Sequence, residues 1–236
     1  MDGLTRWRRR KALERTGLPP EVRAWLDAPW PDPDRSWRDT SFTALDLETS
    51  GLDARRDQIL AIGTVDIEAG RVRMDTAWST LVSPSPGHVV GVPSIRIHGL
   101  LPERLMTAPR LADVLPVLIS RLKGRVLVVH VADVDRPFLA RAFQGAWGCG
   151  AWMPIVDTAR LAAFFDSHPH LGTGREADET PLRRLADIAR GVGIPVGRQH
   201  DALADALICA QLMLALATRL EAMGMGSLGG LRRVGT

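Results

Sequence analysis

The chain has 236 residues, 45% of them hydrophobic and 24% charged, enough apolar content for one globular domain with a sizeable core and an appendage. Its net charge of +3 mildly favours a polyanionic partner such as nucleic acid, although a basic balance this small is weak evidence. Cys149 and Cys209 lie too far apart for a metal or redox spacing, no apolar segment reads as a bilayer span, and the charged N-terminus lacks the apolar stretch of a secretion signal, so a soluble cytoplasmic protein is expected.

Residues 1–38 read as an N-terminal arm. A basic run, Arg6 to Lys11 interrupted only by Trp7, precedes a helical stretch, Glu21 to Asp27, and the proline-rich Pro29-Trp-Pro-Asp-Pro33. The basic run is read as a solvated helix end in preference to a phosphate contact. Residues 39–224 read as the main globular domain. Phe42 to Leu47 is its first strand; Gln58 to Ile67 and Val72 to Val82 follow, separated by the turn Glu68-Ala-Gly70, which predicts an antiparallel meander. A helix over Leu111 to Leu122, a buried strand over Arg125 to Val129, a helix over Asp135 to Phe143, a short strand at Ile155 to Val156 and a helix over Thr158 to Phe165 come next. Asp166 to Thr180 is a polar loop whose His168 and His170 read as surface residues. Leu182 to Ala189 and His200 to Met223 complete the helices, and residues 225–236 read as a flexible glycine-rich tail. The expected fold class is α/β, a mixed β-sheet flanked by helices.

Asp46 and Glu48 stand two apart at the far end of the first strand, so their carboxylates project side by side. Such a pair either shares a proton or holds a cation, and hard oxygen donors suit Mg²⁺ or Mn²⁺. Taken alone, the two acids fit an ordinary solvated strand end equally well. Asp135 should sit near the start of its helix, where the helix dipole is already a sufficient reason for an acid. His200 and Asp205 open the last long helix five residues apart and can face one cleft. Four carboxylates and one histidine make up the ligand inventory of a two-metal phosphoryl site.

Three stretches carry a resemblance: Phe42-x-Ala-Leu-Asp-Leu-Glu-Thr-x-Gly-Leu52, Val128-Val-His-x-Ala-x-Val-Asp135-x-x-Phe-Leu139 and His200-x-Ala-Leu-x-Asp-Ala206. In order and spacing they resemble the three motifs of the DnaQ-like, DEDDh-type 3′-to-5′ exonucleases, a family that includes the proofreading epsilon subunit of bacterial DNA polymerase III. The resemblance implies a ribonuclease H-like fold and hydrolysis of terminal phosphodiesters of single-stranded DNA to nucleoside 5′-monophosphates. It implies Asp46, Glu48, Asp135 and Asp205 as ligands of two divalent cations, Mg²⁺ or Mn²⁺, and His200 as general base. Thr49, Leu52 and His98 would line the substrate pocket.

The partner so implied is a single-stranded 3′ end, DNA favoured over RNA. Polymerase association is a further candidate, although the short tail lacks the long C-terminal segment with which the epsilon subunit reaches its polymerase. Val131 and Val134 replace the family's usual Asn and Phe, and Pro93 stands where the epsilon subunit has a substrate-contacting glutamate. Gln211-Leu-Met-Leu-Ala-Leu216 has the shape of a sliding-clamp peptide but reads better as core.

Overall fold

The computed structural model describes residues 3–168 and 184–236. Its centre is a five-stranded sheet in the order β3-β2-β1-β4-β5, built from β1 (Phe42–Thr49), β2 (Ile59–Glu68), β3 (Arg71–Leu81), β4 (Val126–Val129) and β5 (Ile155–Asp157). β1, β2 and β3 form the antiparallel meander that the sequence predicts. The β2–β3 turn places both Ala69 and Gly70 in the left-handed region, the backbone of a tight hairpin. β4 runs parallel to β1, and β5 parallel to β4.

Each face of the sheet is covered. Odd-numbered residues of β1, Leu45 and Leu47, join a core with α1 (Gly3–Leu13), α2 (Pro20–Asp27), α5 (Leu111–Arg121) and α6 (Ala132–Trp147). Even-numbered Phe42 and Ala44 face a second core with α7 (Thr158–Asp166), α9 (Ala202–Ala222) and α10 (Leu228–Val234). The described part of the helix predicted at Leu182 is α8 (Leu185–Gly191). Two short helices, α3 (Val92–His98) and α4 (Pro102–Met106), lie between β3 and α5, each with proline in its first turn.

Three expectations require correction. The C-terminal residues are not frayed: Ser227 caps α10, Leu228 and Leu231 are fully buried, and Trp37, Leu228 and Gly229 exchange backbone hydrogen bonds with Gly226, Arg35 and Pro33. The glycines at 229 and 230 permit this close approach, since a Cβ there would crowd the Pro33 and Met225 carbonyls. Second, α9 does meet the length and hydropathy of a membrane span, but its apolar length serves the core: Leu212, Met213, Leu216 and Leu220 are buried against the sheet. The same burial bears out the core reading of the clamp-like sequence. Third, His200 lies outside α9, as described below. His168 closes α7, its Nδ1 2.8 Å from the Phe164 carbonyl, while His170 lies outside the described residues.

The arm is docked. Val22, Trp25 and Leu26 of α2 are buried in the first core, and Trp37, in a short 3-10 turn, is buried in the second. Replacing Leu231 by alanine is expected to cost about 2–5 kcal/mol of stability, read from the urea midpoint. An unchanged midpoint would restore the frayed tail.

Candidate active site

β1 is paired with β4 only from Phe42 to Ala44, yet it continues to Thr49 beside β2. Beyond Ala44 the sheet therefore opens between β1 and the start of α6, at the point where the chain order reverses from β2 on one side to β4 on the other. Open α/β sheets bind ligands at such a switch point. Asp46 and Glu48 continue the even-numbered face of β1 into this opening, beneath α9.

α9 reaches them because of Gly63. This residue pairs with Asp46 across the sheet, and a Cβ on it would run into the backbone carbonyl of Ala202. The first turn of α9 thus lies directly on the β1–β2 pair. Asp201 is the N-cap, its Oδ1 accepting from the Ala204 N–H at 3.1 Å. His200 precedes the cap in a left-handed conformation, φ 58°, and its backbone N–H donates to Asp205 Oδ2 at 2.8 Å. Because the helix begins only after His200, its ring leaves the helical path: one ligand atom each from Glu48, His200 and Asp205 lies within 4.8 Å of the others.

Asp135 comes from the first turn of α6, as predicted, and is buried. Its placement depends on a residue that the sequence reading did not single out. Asp157, at the end of β5, is 1% exposed and accepts hydrogen bonds from the backbone N–H groups of Val131 (3.0 Å), Ala132 (2.8 Å) and Ala159 (2.8 Å). It thereby caps α7 and pins the start of α6 at once. Val131, the N-cap of α6, is held at φ 65° and ψ 70°, a region that asparagine enters far more readily than a β-branched residue. The two Asp157 bonds hold this strained turn in place. The only sequence signal was an acid one residue before a helix, a pattern too common to stand out.

The carboxylates are electrostatically unbalanced. Burial first, then the charges of Asp135, Glu48, Asp205 and Asp201, hold Asp46 well above the usual carboxylate range, although the residue keeps some solvent access. Burial, then Asp205 and Asp201, lift Glu48 to about 7. Asp135 is raised by burial and by Asp157 and Glu48. Asp205 is raised mainly by burial, with the His200 N–H and ring charge opposing. No lysine or arginine contributes to any of these shifts. A set of hard oxygen donors short of positive charge is what a divalent cation fits.

Of the predicted pocket residues, Leu52 is 80% exposed on the loop after β1. That loop is set by Asp57, whose Oδ2 accepts the Asp53 N–H at 2.8 Å. Thr49 Oγ1 donates to the Gly51 carbonyl at 2.7 Å. His98 is buried with both nitrogens engaged: Nδ1 accepts the Leu100 N–H at 2.9 Å, so Nε2 carries the proton that meets Ser94 Oγ at 2.6 Å. Ser94 in turn donates to the Thr49 carbonyl at 3.0 Å. His98 thus ties α3 to the end of β1 through Ser94, a link that the sequence did not reveal.

A central strand that opens beneath a helix N-terminus and a cluster of unneutralised acids define a ribonuclease H-like nuclease. Comparisons with known proteins agree: the family profile described as exonuclease, of the RNase T type, matches residues 43–213, and the chain belongs to this exonuclease family. It is 30% identical to the DNA polymerase III subunit epsilon of Treponema pallidum over 177 residues, covering 75% of this chain and 76% of that protein. It is 27% identical to the PolC-type DNA polymerase III of Thermotoga maritima over 85% of this chain but only 14% of that much longer protein. Escherichia coli exonuclease I in complex with a dA16 oligonucleotide has the same fold, with a TM-score of 0.68 at 17% identity over 78% of this chain and 42% of that one.

Two outcomes are expected here. A carboxylate whose folded pKa exceeds its unfolded value favours the fold while protonated, so Glu48 withdraws stability from the cation-free protein as pH rises from about 4.5 to about 7. Glu48→Gln should flatten that fall in urea midpoints measured in EDTA; identical pH profiles would refute the shift. Asp157→Ala strands three backbone N–H groups and should cost at least about 3 kcal/mol by the same measurement.

Proposed function

We propose that this chain is a 3′-to-5′ exonuclease that hydrolyses the terminal phosphodiester of single-stranded DNA and releases nucleoside 5′-monophosphates. Asp46, Glu48, Asp135 and Asp205 would hold two divalent cations, Mg²⁺ or Mn²⁺. The observation that carries this reading is the convergence of four carboxylates with raised pKa values and no lysine or arginine among the groups that shift them. Cations bound to such carboxylates supply acidified water and neutralise charge developing on the phosphate.

The remaining work falls to side chains of this chain. His200 would accept the proton of the attacking water as general base; it is exposed, next to Glu48 and Asp205, and its backbone is held by Asp205. Leu52 offers an apolar surface to the terminal base. The bonds from His98 through Ser94 to Thr49 keep the strand end rigid, so that the reacting phosphate meets the acids in one geometry. Support for DNA over RNA comes from the relatives, which are named as DNA polymerase III proteins, and from the oligonucleotide held by exonuclease I.

Asp46→Ala and Asp205→Ala should each lower hydrolysis by on the order of 10³-fold or more. Both should leave the cation-free urea midpoint unchanged or raised, since each removes repulsion. Single-stranded DNA and RNA labelled at either end, incubated with Mg²⁺ or Mn²⁺, provide the assay: a 3′ label should appear at once as mononucleotide and a 5′ label as a ladder. Full activity in either variant, or in excess EDTA, would end the proposal. Faster RNA degradation would reassign the substrate.

A further inference from the structure

α1 carries five basic residues, Arg6, Arg8, Arg9, Arg10 and Lys11, and no acid. If the run were only a solvated helix end, its members would be equivalent, but one of them is a rivet. Arg9 is 7% exposed, and its guanidinium donates to the carbonyls of Trp25 (2.6 Å), Leu26 (2.7 Å and 3.1 Å) and Ala28 (3.1 Å) at the end of α2. Ala12, on the same side of the helix, is buried in the first core. Just after α1, Arg23 donates to the Leu13 and Arg15 carbonyls, and Arg15 reaches the Gly148 carbonyl at the end of α6. The helix is thus fixed in rotation, with one face committed inward.

The opposite face is unusual. Leu4, Trp7 and Lys11 follow at helical spacing, with Leu4 53% and Trp7 57% exposed, and the exposed Arg6, Arg8 and Arg10 flank them. Lys11 pairs with Glu14 at 3.3 Å, and among the described residues Arg6, Arg8 and Arg10 have no ion pair. An exposed indole framed by unopposed guanidinium groups is the chemistry that holds single-stranded nucleic acid, the cations tracking phosphates and the ring stacking a base. A membrane surface would require a broad apolar face, and this helix shows two apolar side chains there.

The location adds a length scale. The arm meets the C-terminal end of α6 at Gly148, whereas Asp135 is in the first turn of the same helix. Thirteen helical steps separate Gly148 from Asp135 by about 20 Å, so the arm is anchored well away from the acids.

We propose that the outer face of α1 is a second, sequence-independent binding surface for single-stranded nucleic acid, which grips the strand remote from the 3′ end undergoing hydrolysis. This rests on the nuclease reading above. It predicts that long strands bind more tightly than short ones, and that a strand too short to span the gap gains nothing from α1.

The test uses Arg6→Ala/Arg8→Ala/Arg10→Ala and Trp7→Ala, all at exposed positions that should leave the urea midpoint unchanged. Binding of a fluorescent strand of about twenty nucleotides is followed by anisotropy in EDTA, across a salt series. Hydrolysis of a trinucleotide with Mn²⁺ is measured in parallel. The triple variant should reduce the slope of log affinity against log salt by about 2. Trp7→Ala should weaken binding roughly tenfold. Trinucleotide hydrolysis should be unaffected by either. Wild-type slopes and affinities in both variants, or no strand binding by the wild type, would overturn the proposal. So would capture by phosphatidylglycerol vesicles that depends on Trp7 while strand binding does not. If the wild type leaves the trinucleotide intact yet the slope falls as expected, the nuclease reading fails and the α1 surface stands.

Discussion

The structure turns on a repulsion. Asp46, Glu48, Asp135 and Asp205 are carried on three separate elements into one partly desolvated opening, where they act on one another without a compensating lysine or arginine. Left alone, such a cluster works against folding, and the raised pKa values are the measure of that opposition. A fold that nevertheless assembles it must hold the pieces by other means.

Those means can be named. Gly63 removes the side chain that would separate α9 from the β1–β2 pair, so Asp205 can descend onto Asp46 and Glu48. Asp157 spends its carboxylate on three backbone N–H groups and fixes the turn that aims Asp135. The long apolar body of α9 anchors its polar first turn. The early end of β4 pairing leaves the acids a mouth to solvent.

Much of this was legible in the sequence. The alternation of Phe42 to Leu47 predicts a two-sided strand and places Asp46 and Glu48 on one face; the meander follows from β-branched runs and the turn at Gly70. The motif spacing brought in Asp135, His200 and Asp205. Features set by tertiary contact were not legible. His200 reads as helical because Ala, Leu and Asp follow it, yet Asp201 captures the cap and turns His200 into the left-handed region. Glycine near the C-terminus reads as fraying, but here it allows the backbone of α10 to approach Pro33 and Met225 closely. The basic run reads as uniform, and only the α2 carbonyls distinguish Arg9 from its neighbours.

The central claim is that the acids converge to hold divalent cations. Calorimetric titration of the EDTA-stripped protein with Mn²⁺, compared with Asp46→Asn, tests it most directly, because Asp46 feels the charge of every other acid in the cluster. The account predicts binding of two ions by the wild type, with a rise in thermal midpoint and release of protons from the raised carboxylates, and loss of at least one ion in the variant. Absence of Mn²⁺ binding by the wild type, or equal binding by Asp46→Asn, would contradict it.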